Sequence, residues 1–100
     1  MSYYMRNRMG TSVGAPDAAQ MRQVLAELED ADDEHPDVSL RHESGWVVSV
    51  FADRTLYFEN IEDPSIAPRQ GVAESWDEVI DLLQKVAHGD LEDVSAWHWH

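Results

Sequence analysis

Three strand-like runs follow one another between residues 38 and 61, separated only by Ser44-Gly45 and by Asp53-Arg54. A parallel neighbour needs a crossover of about a dozen residues or more, so these runs can pair only as an antiparallel meander. The central run, Trp46 to Ala52 (WVVSVFA), carries the strongest strand signal because it is dense in β-branched and aromatic residues. Alternation puts Trp46, Val48, Val50 and Ala52 on one face, and Val47, Ser49 and Phe51 on the other. Before it, Val38 to Ser44 alternates weakly, with Val38 and Leu40 apolar and Ser39 and Arg41 polar. After it, Thr55 to Ile61 (TLYFENI) sets Leu56 and Phe58 against Tyr57, Glu59 and Ile61.

Two helical stripes flank the meander. Met21, Val24, Leu25 and Leu28 recur at i, i+3, i+4 and i+7, with Ala18 and Ala31 extending the stripe. Pro16 and Asp17 suit a helix start, so the pattern predicts a helix over 16–32. Its far end is crowded with acids where the dipole prefers cations, so it should fray there, and Pro36 should stop it. Ser75-Trp76-Asp77-Glu78 reads as a capping box ahead of the stripe Trp76, Val79, Ile80, Leu83, Val86 and Ala87. Gly89 suits the position just past the end, which predicts a helix over 75–88. Asp90 to Val94 can add a short helical turn, and Trp97 is expected to pack. Residues 62–74 read as a connecting loop with room for a short edge strand near Gln70–Ala73. In residues 1–14, Tyr3, Tyr4 and Met5 can form a short strand, but Gly10, Thr11, Ser12 and Gly14 suggest a loose lead-in, so the segment reads as a loose lead-in or an edge strand. The expectation is α+β: a small antiparallel sheet of three to five strands and two main helices in β-α-β-β-β-α order, with residues 15–100 forming a single domain.

Charge narrows the function. The chain carries 20 Asp and Glu against 7 Lys and Arg, a formal net charge of −13, and no Cys. Disulfides, thiolate chemistry and Cys-ligated zinc are excluded. Such a balance argues against direct binding to nucleic acid or anionic lipid and favours a basic protein partner. No stretch approaches the ~20 apolar residues of a membrane span, and the start lacks a signal-peptide core, so a cytoplasmic location is expected. The segment Glu27–Asp37 holds seven acids and no Lys or Arg. A run like this is most often a solvated helix end, yet it stores self-repulsion that a cationic surface would relieve. Asp30, Asp32, Asp33 and Glu34 are therefore candidate partner contacts. Glu59, Glu62 and Asp63 make a second acidic patch, and Glu74, Asp77, Glu78 and Asp81 a third. Tyr57 shares a strand face with Glu59; if no helix covers that face, it is an aromatic anchor beside a carboxylate. The other large aromatics are more often core than interface.

Catalysis and metal binding have weaker support. No nucleophile elbow or Gly-rich loop is present, and chance pairing of so many carboxylates is near certain. His98 and His100 could share a face, with His88 as a third ligand, but no metal-binding motif frames them. The expectation is no enzyme, no metal and no cofactor, in a monomer or weak dimer.

Gly45–Val50 (GWVVSV), Thr55–Glu62 (TLYFENIE) and Ser75–Trp97 (SWDEVIDLLQKVAHGDLEDVSAW) together resemble bacterial polymorphic-toxin immunity proteins, most nearly the Imm1-type family. The shared pattern is a central hairpin, a strand ending in acids, a loop with Pro and Gly, and a helix closed by Gly-Asp before a late Trp. The resemblance spans about residues 38–99. It implies a small acidic cytoplasmic protein that binds a cognate toxin domain, often directed at nucleic acid, and blocks its basic active-site surface. It implies structural roles for Gly89, Asp90 and Trp97, and toxin contacts at Glu59, Glu62 and Asp63. An acidic DNA mimic with another target, a small enzyme or metal-binding domain, and a general protein-interaction domain remain open alternatives.

Overall fold

The computed structural model describes residues 2–30, 34, 37–97 and 99. Two short strands, β1 (Tyr3–Arg6) and β2 (Ser12–Gly14), precede helix α1 (Ala18–Ala26) and a 3-10 turn (Glu27–Asp30). Strands β3 (Asp37–His42), β4 (Trp46–Phe51), β5 (Thr55–Asn60) and β6 (Arg69–Val72) follow, then helix α2 (Trp76–Ala87) and the short α3 (Leu91–Ser95). The strands form one six-stranded sheet in the order β2-β1-β3-β4-β5-β6. Every neighbouring pair is antiparallel.

The α+β class and the meander β3-β4-β5 agree with the sequence reading. The strand count and order do not. Six strands replace the expected three to five and two of them precede the first helix, while the short edge strand expected near Gln70–Ala73 and the helical turn expected at Asp90–Val94 are present as β6 and α3. Residues 3–14, expected as a loose lead-in or edge strand, form a hairpin. Its first strand lies inside the sheet, between β2 and β3, with Met5 fully buried opposite Leu40. Strands of three and four residues are too short to show a period. Pairing with β3, far along the chain, is what orders them.

Helix α1 is also shorter than 16–32. Asp17 is its N-cap, accepting from the Gln20 amide while the Gln20 side chain accepts from the Asp17 amide. After Ala26 the backbone tightens to 3-10 geometry through Glu27–Asp30. No cation stands in the last turn to meet the dipole's negative end, and three carboxylates crowd it. Helix α2 starts as expected: Ser75 Oγ accepts from the Glu78 amide at 3.1 Å.

The main core cluster lies on one face of the sheet. Val38, Leu40, Val48, Val50, Leu56 and Phe58 point there and meet Met21, Val24 and Leu25 of α1 and Val79, Leu83 and Val86 of α2. Fully burying each such side chain contributes roughly 1.5–3 kcal/mol, so both helices are held to this face. The alternating residues, Ser39, Arg41, Val47, Ser49, Tyr57 and Glu59, fall on the opposite face, which no described helix covers. The end of the chain folds back over the β5–β6 side. Trp46, Phe58 and Trp99 stack in series, with ring centroids 4.4 Å and 5.4 Å apart. Trp97 meets Trp99 edge-on at 4.6 Å.

Candidate functional site

One end of the sheet gathers segments distant in the sequence. The second half of α1, the 3-10 turn, the β4–β5 turn and the start of α2 enclose an open groove of about 460 Å³. Leu25, Leu28 and Trp76 supply its apolar lining, Ala26 and Ala52 its low walls, and Arg22 and Glu29 its polar rim. Leu25 and Leu28 are buried, Trp76 is half-buried, and Ala26 and Ala52 are exposed.

Each wall has a local cause. The capping box on Asp17 starts α1 in the phase that points Leu25 and Leu28 inward. The Ser75 cap fixes Trp76 as the first helical residue of α2. In the β4–β5 turn the Arg54 amide donates to Phe51 O at 3.0 Å. Asp53 Oδ1 accepts from the Thr55 amide at 2.9 Å. Arg54 takes a positive φ of 68°, which a residue with a Cβ adopts only when its surroundings hold it there. Its Nε donates to Ala73 O at 3.1 Å, and the Ala73 amide donates back to Arg54 O at 3.1 Å. That double tie locks the turn, and Ala52 with it, to the segment leading into α2.

The electrostatics of this end are acidic. Glu27, Glu29 and Asp30 come from the 3-10 turn, Asp53 from the hairpin, and Glu74, Asp77 and Glu78 from the front of α2. The nearby cations are engaged: Arg22 pairs with Asp77 across the two helices, and Arg54 is tied to Ala73. Asp53 is held below the usual carboxylate range by the Thr55 hydrogen bonds. Asp37, at the start of β3 opposite Phe51, is pushed the other way by burial, partly offset by its own backbone amide. Glu27, Glu29 and Asp30 of the first acidic patch and Glu74, Asp77 and Glu78 of the third therefore share one end of the molecule.

The other expected contacts lie elsewhere. Glu62 and Asp63 follow β5 at the opposite end, where Asn60 pairs with Trp46 and the Ile61 amide donates to Gly45 O. A six-residue strand, roughly 20 Å, separates them from the groove. Asp63 is occupied locally: it accepts from Ser65 Oγ and the Ser65 amide, which lowers its pKa. Tyr57 and Glu59 stand on the helix-free face, with Tyr57 edge-on to Phe51 at 5.5 Å. Asp30 belongs to the acidic end and Glu34 is exposed, while Asp32 and Asp33 fall outside the described residues. Trp76 escaped the sequence reading because its place at the head of an apolar stripe marked it as core. The usable signal was its neighbours: an aromatic set directly between Ser75 and Asp77-Glu78.

Among the described residues no group of three or more His, Asp or Glu is placed to hold a metal, and no helix is long and apolar enough to cross a membrane. His98 and His100 lie outside the described residues. No family model, curated protein or solved structure matches the chain. The site must speak through its own chemistry. A groove with an aromatic and aliphatic lining and a carboxylate rim suits an apolar side chain carried on a cationic surface.

Proposed function

We propose that this protein is an acidic binding module that caps the cationic surface of a partner protein, in the manner of an immunity protein that blocks a toxin domain. One observation carries the reading: acids at residues 27–30 and 74–78 converge on one end of the fold, around an apolar groove containing Trp76. Carboxylates alone would give steering and little grip, because rim charges act mainly on the association rate. The groove supplies what they lack, a desolvated anchor point that slows dissociation. The likeness of residues 38–99 to toxin-immunity proteins supports making the partner a toxin domain directed at nucleic acid. Such a domain holds phosphates in a basic channel, and carboxylates can occupy it in their place. The inhibitor itself performs no chemistry and would act in the cytoplasm.

The test is capture from the native cell at about 150 mM and about 500 mM salt, with bound proteins identified by mass. A single stoichiometric partner that survives the higher salt supports the reading. Glu29→Lys with Asp30→Lys should then lower its association rate about tenfold at low salt. Many basic proteins, all lost at high salt, would indicate a general mimic of DNA. No partner at either salt would refute the proposal.

A further inference from the structure

The helix-free face of the sheet differs from the rest of the molecule in charge. Register places Arg6, Asp37, Arg41 and Glu59 on it, two cations and two anions that sum to zero. The chain's other five basic and eighteen acidic residues carry the whole net charge of −13. Two copies meeting through the acidic end would oppose negative charge to negative charge, and this face carries no such penalty. Acids at its margins act through solvent, where charges more than about 8 Å apart are largely screened.

The face is also self-complementary. Arg41, Val47 and Glu59 stand in one row across β3, β4 and β5, with Arg41 opposite Val47 and Val47 opposite Glu59. Among the described residues, no hydrogen bond or ion pair engages either charged group, and Arg41 Nε is buried without an acceptor. At the centre of β3 and β4 the side chains are small, with Ser39 paired to Ser49 and both Ser39 and Val47 buried, while Phe51 and Tyr57 stand edge-on to one another on the same face. A shallow strip with a cation on one flank and an anion on the other fits its own copy turned over.

We propose that this face binds a second copy of the chain, about a two-fold axis running along β4. That axis exchanges β3 with β5. It lays Arg41 of each copy on Glu59 of the other, and brings the two Val47 side chains together at the centre. The two sheets then pack face to face in the aligned arrangement set by their twist. The face measures about 24 Å across six strands and about 20 Å along them. A footprint near 480 Å² per copy is at the small end for a specific interface, so the dimer is weak. Both acidic grooves stay open at the ends of the sheets. The proposal is independent of the function proposed above, and either can fail without the other.

Sedimentation velocity on the full chain from about 5 to 500 μM, at about 150 mM salt, tests it. The expected result is a concentration-dependent monomer–dimer equilibrium. Arg41→Glu and Glu59→Arg should each weaken self-association at least tenfold, with far-UV circular dichroism unchanged. Mixing the two variants should restore a one-to-one dimer, because each then offers the charge the other lacks. A pairing of Arg41 with Glu59 inside one chain could not produce that rescue. Wild-type chain that stays monomeric at 500 μM overturns the proposal. So does an Arg41→Glu variant that dimerises like wild type, or a mixture that fails to associate.

Discussion

Gly71 lies on β6 opposite Leu56, and a methyl group added there would stand 2.5 Å from Trp97 Cζ3. It would also come within 3.3 Å of Trp99 Cε3. Carbon atoms in contact prefer about 3.5–4.0 Å, so Gly71→Ala must push the Trp97 ring away by roughly 1 Å. The ring has little freedom to move, being held edge-on against Trp99, whose Nε1 donates to Val94 O at 2.8 Å. Overpacking of this kind costs about 1–3 kcal/mol. Replacing a strand glycine by alanine returns about 0.5–1 kcal/mol. The net expectation is a loss of about 1–2 kcal/mol, which for a chain of this size lowers Tm by about 4–16 °C. The clash with Trp97 is the named cause, so the effect must depend on that residue. In a Trp97→Leu background the same Gly71→Ala change should become neutral, or stabilising by about 0.5 kcal/mol. Urea unfolding of all four proteins, followed by far-UV circular dichroism, gives the coupling energy directly. A coupling of about 1–2.5 kcal/mol is expected. Equal destabilisation by Gly71→Ala in both backgrounds would refute the close approach as its cause.

Two further outcomes follow from the same structure. Asp37 has its pKa raised by burial from the ordinary value of 3.8. As pH rises the unfolded chain ionises first, so this group subtracts stability above its folded pKa and nothing well below 3.8. Asp37→Asn should therefore be more stable than wild type at pH 7, with the advantage fading as pH falls towards about 3; an advantage constant with pH would contradict this. Ser75→Ala removes the acceptor for the Glu78 amide. It should cost about 1 kcal/mol in urea unfolding, and unchanged stability would show that the cap is not what starts α2.

Much of the architecture was legible because some segments carry their own pattern. Trp46 to Phe51 is dense in β-branched and aromatic residues and sits between two short turns, so its strand state could be read and the period of two divided its faces. The division of Val47, Ser49, Phe51, Tyr57 and Glu59 from Val48, Val50, Leu56 and Phe58 survives intact in the sheet. Trp76 to Ala87 has a cap, a stripe and a terminal Gly89 at positive φ, each pointing to the same helix. The N-terminal hairpin had none of these. Tyr3, Tyr4 and Met5 suggested a short strand, but its place inside the sheet rests on Met5 reaching the core beside Leu40, a non-local fact. The acids divide in the same way. Their clustering along the chain was plain, but which clusters meet depends on the hairpin turn and helix start that bring Glu29 and Trp76 to one groove. Glu62 and Asp63 look equivalent to Asp30 in sequence, and a strand length separates them in space.

The acidic end is proposed to grip its partner through the groove as well as to attract it by charge. The dissociation rate of the captured partner from wild type and from an Ala26→Arg, Ala52→Arg variant tests that most directly. Both alanines are exposed on the groove's walls, so the long side chains fill it without disturbing the core. Dissociation should be about 10–100 times faster from the filled groove, as expected when a buried anchor is lost. An unchanged dissociation rate would contradict it and would place the contact on another surface of the protein.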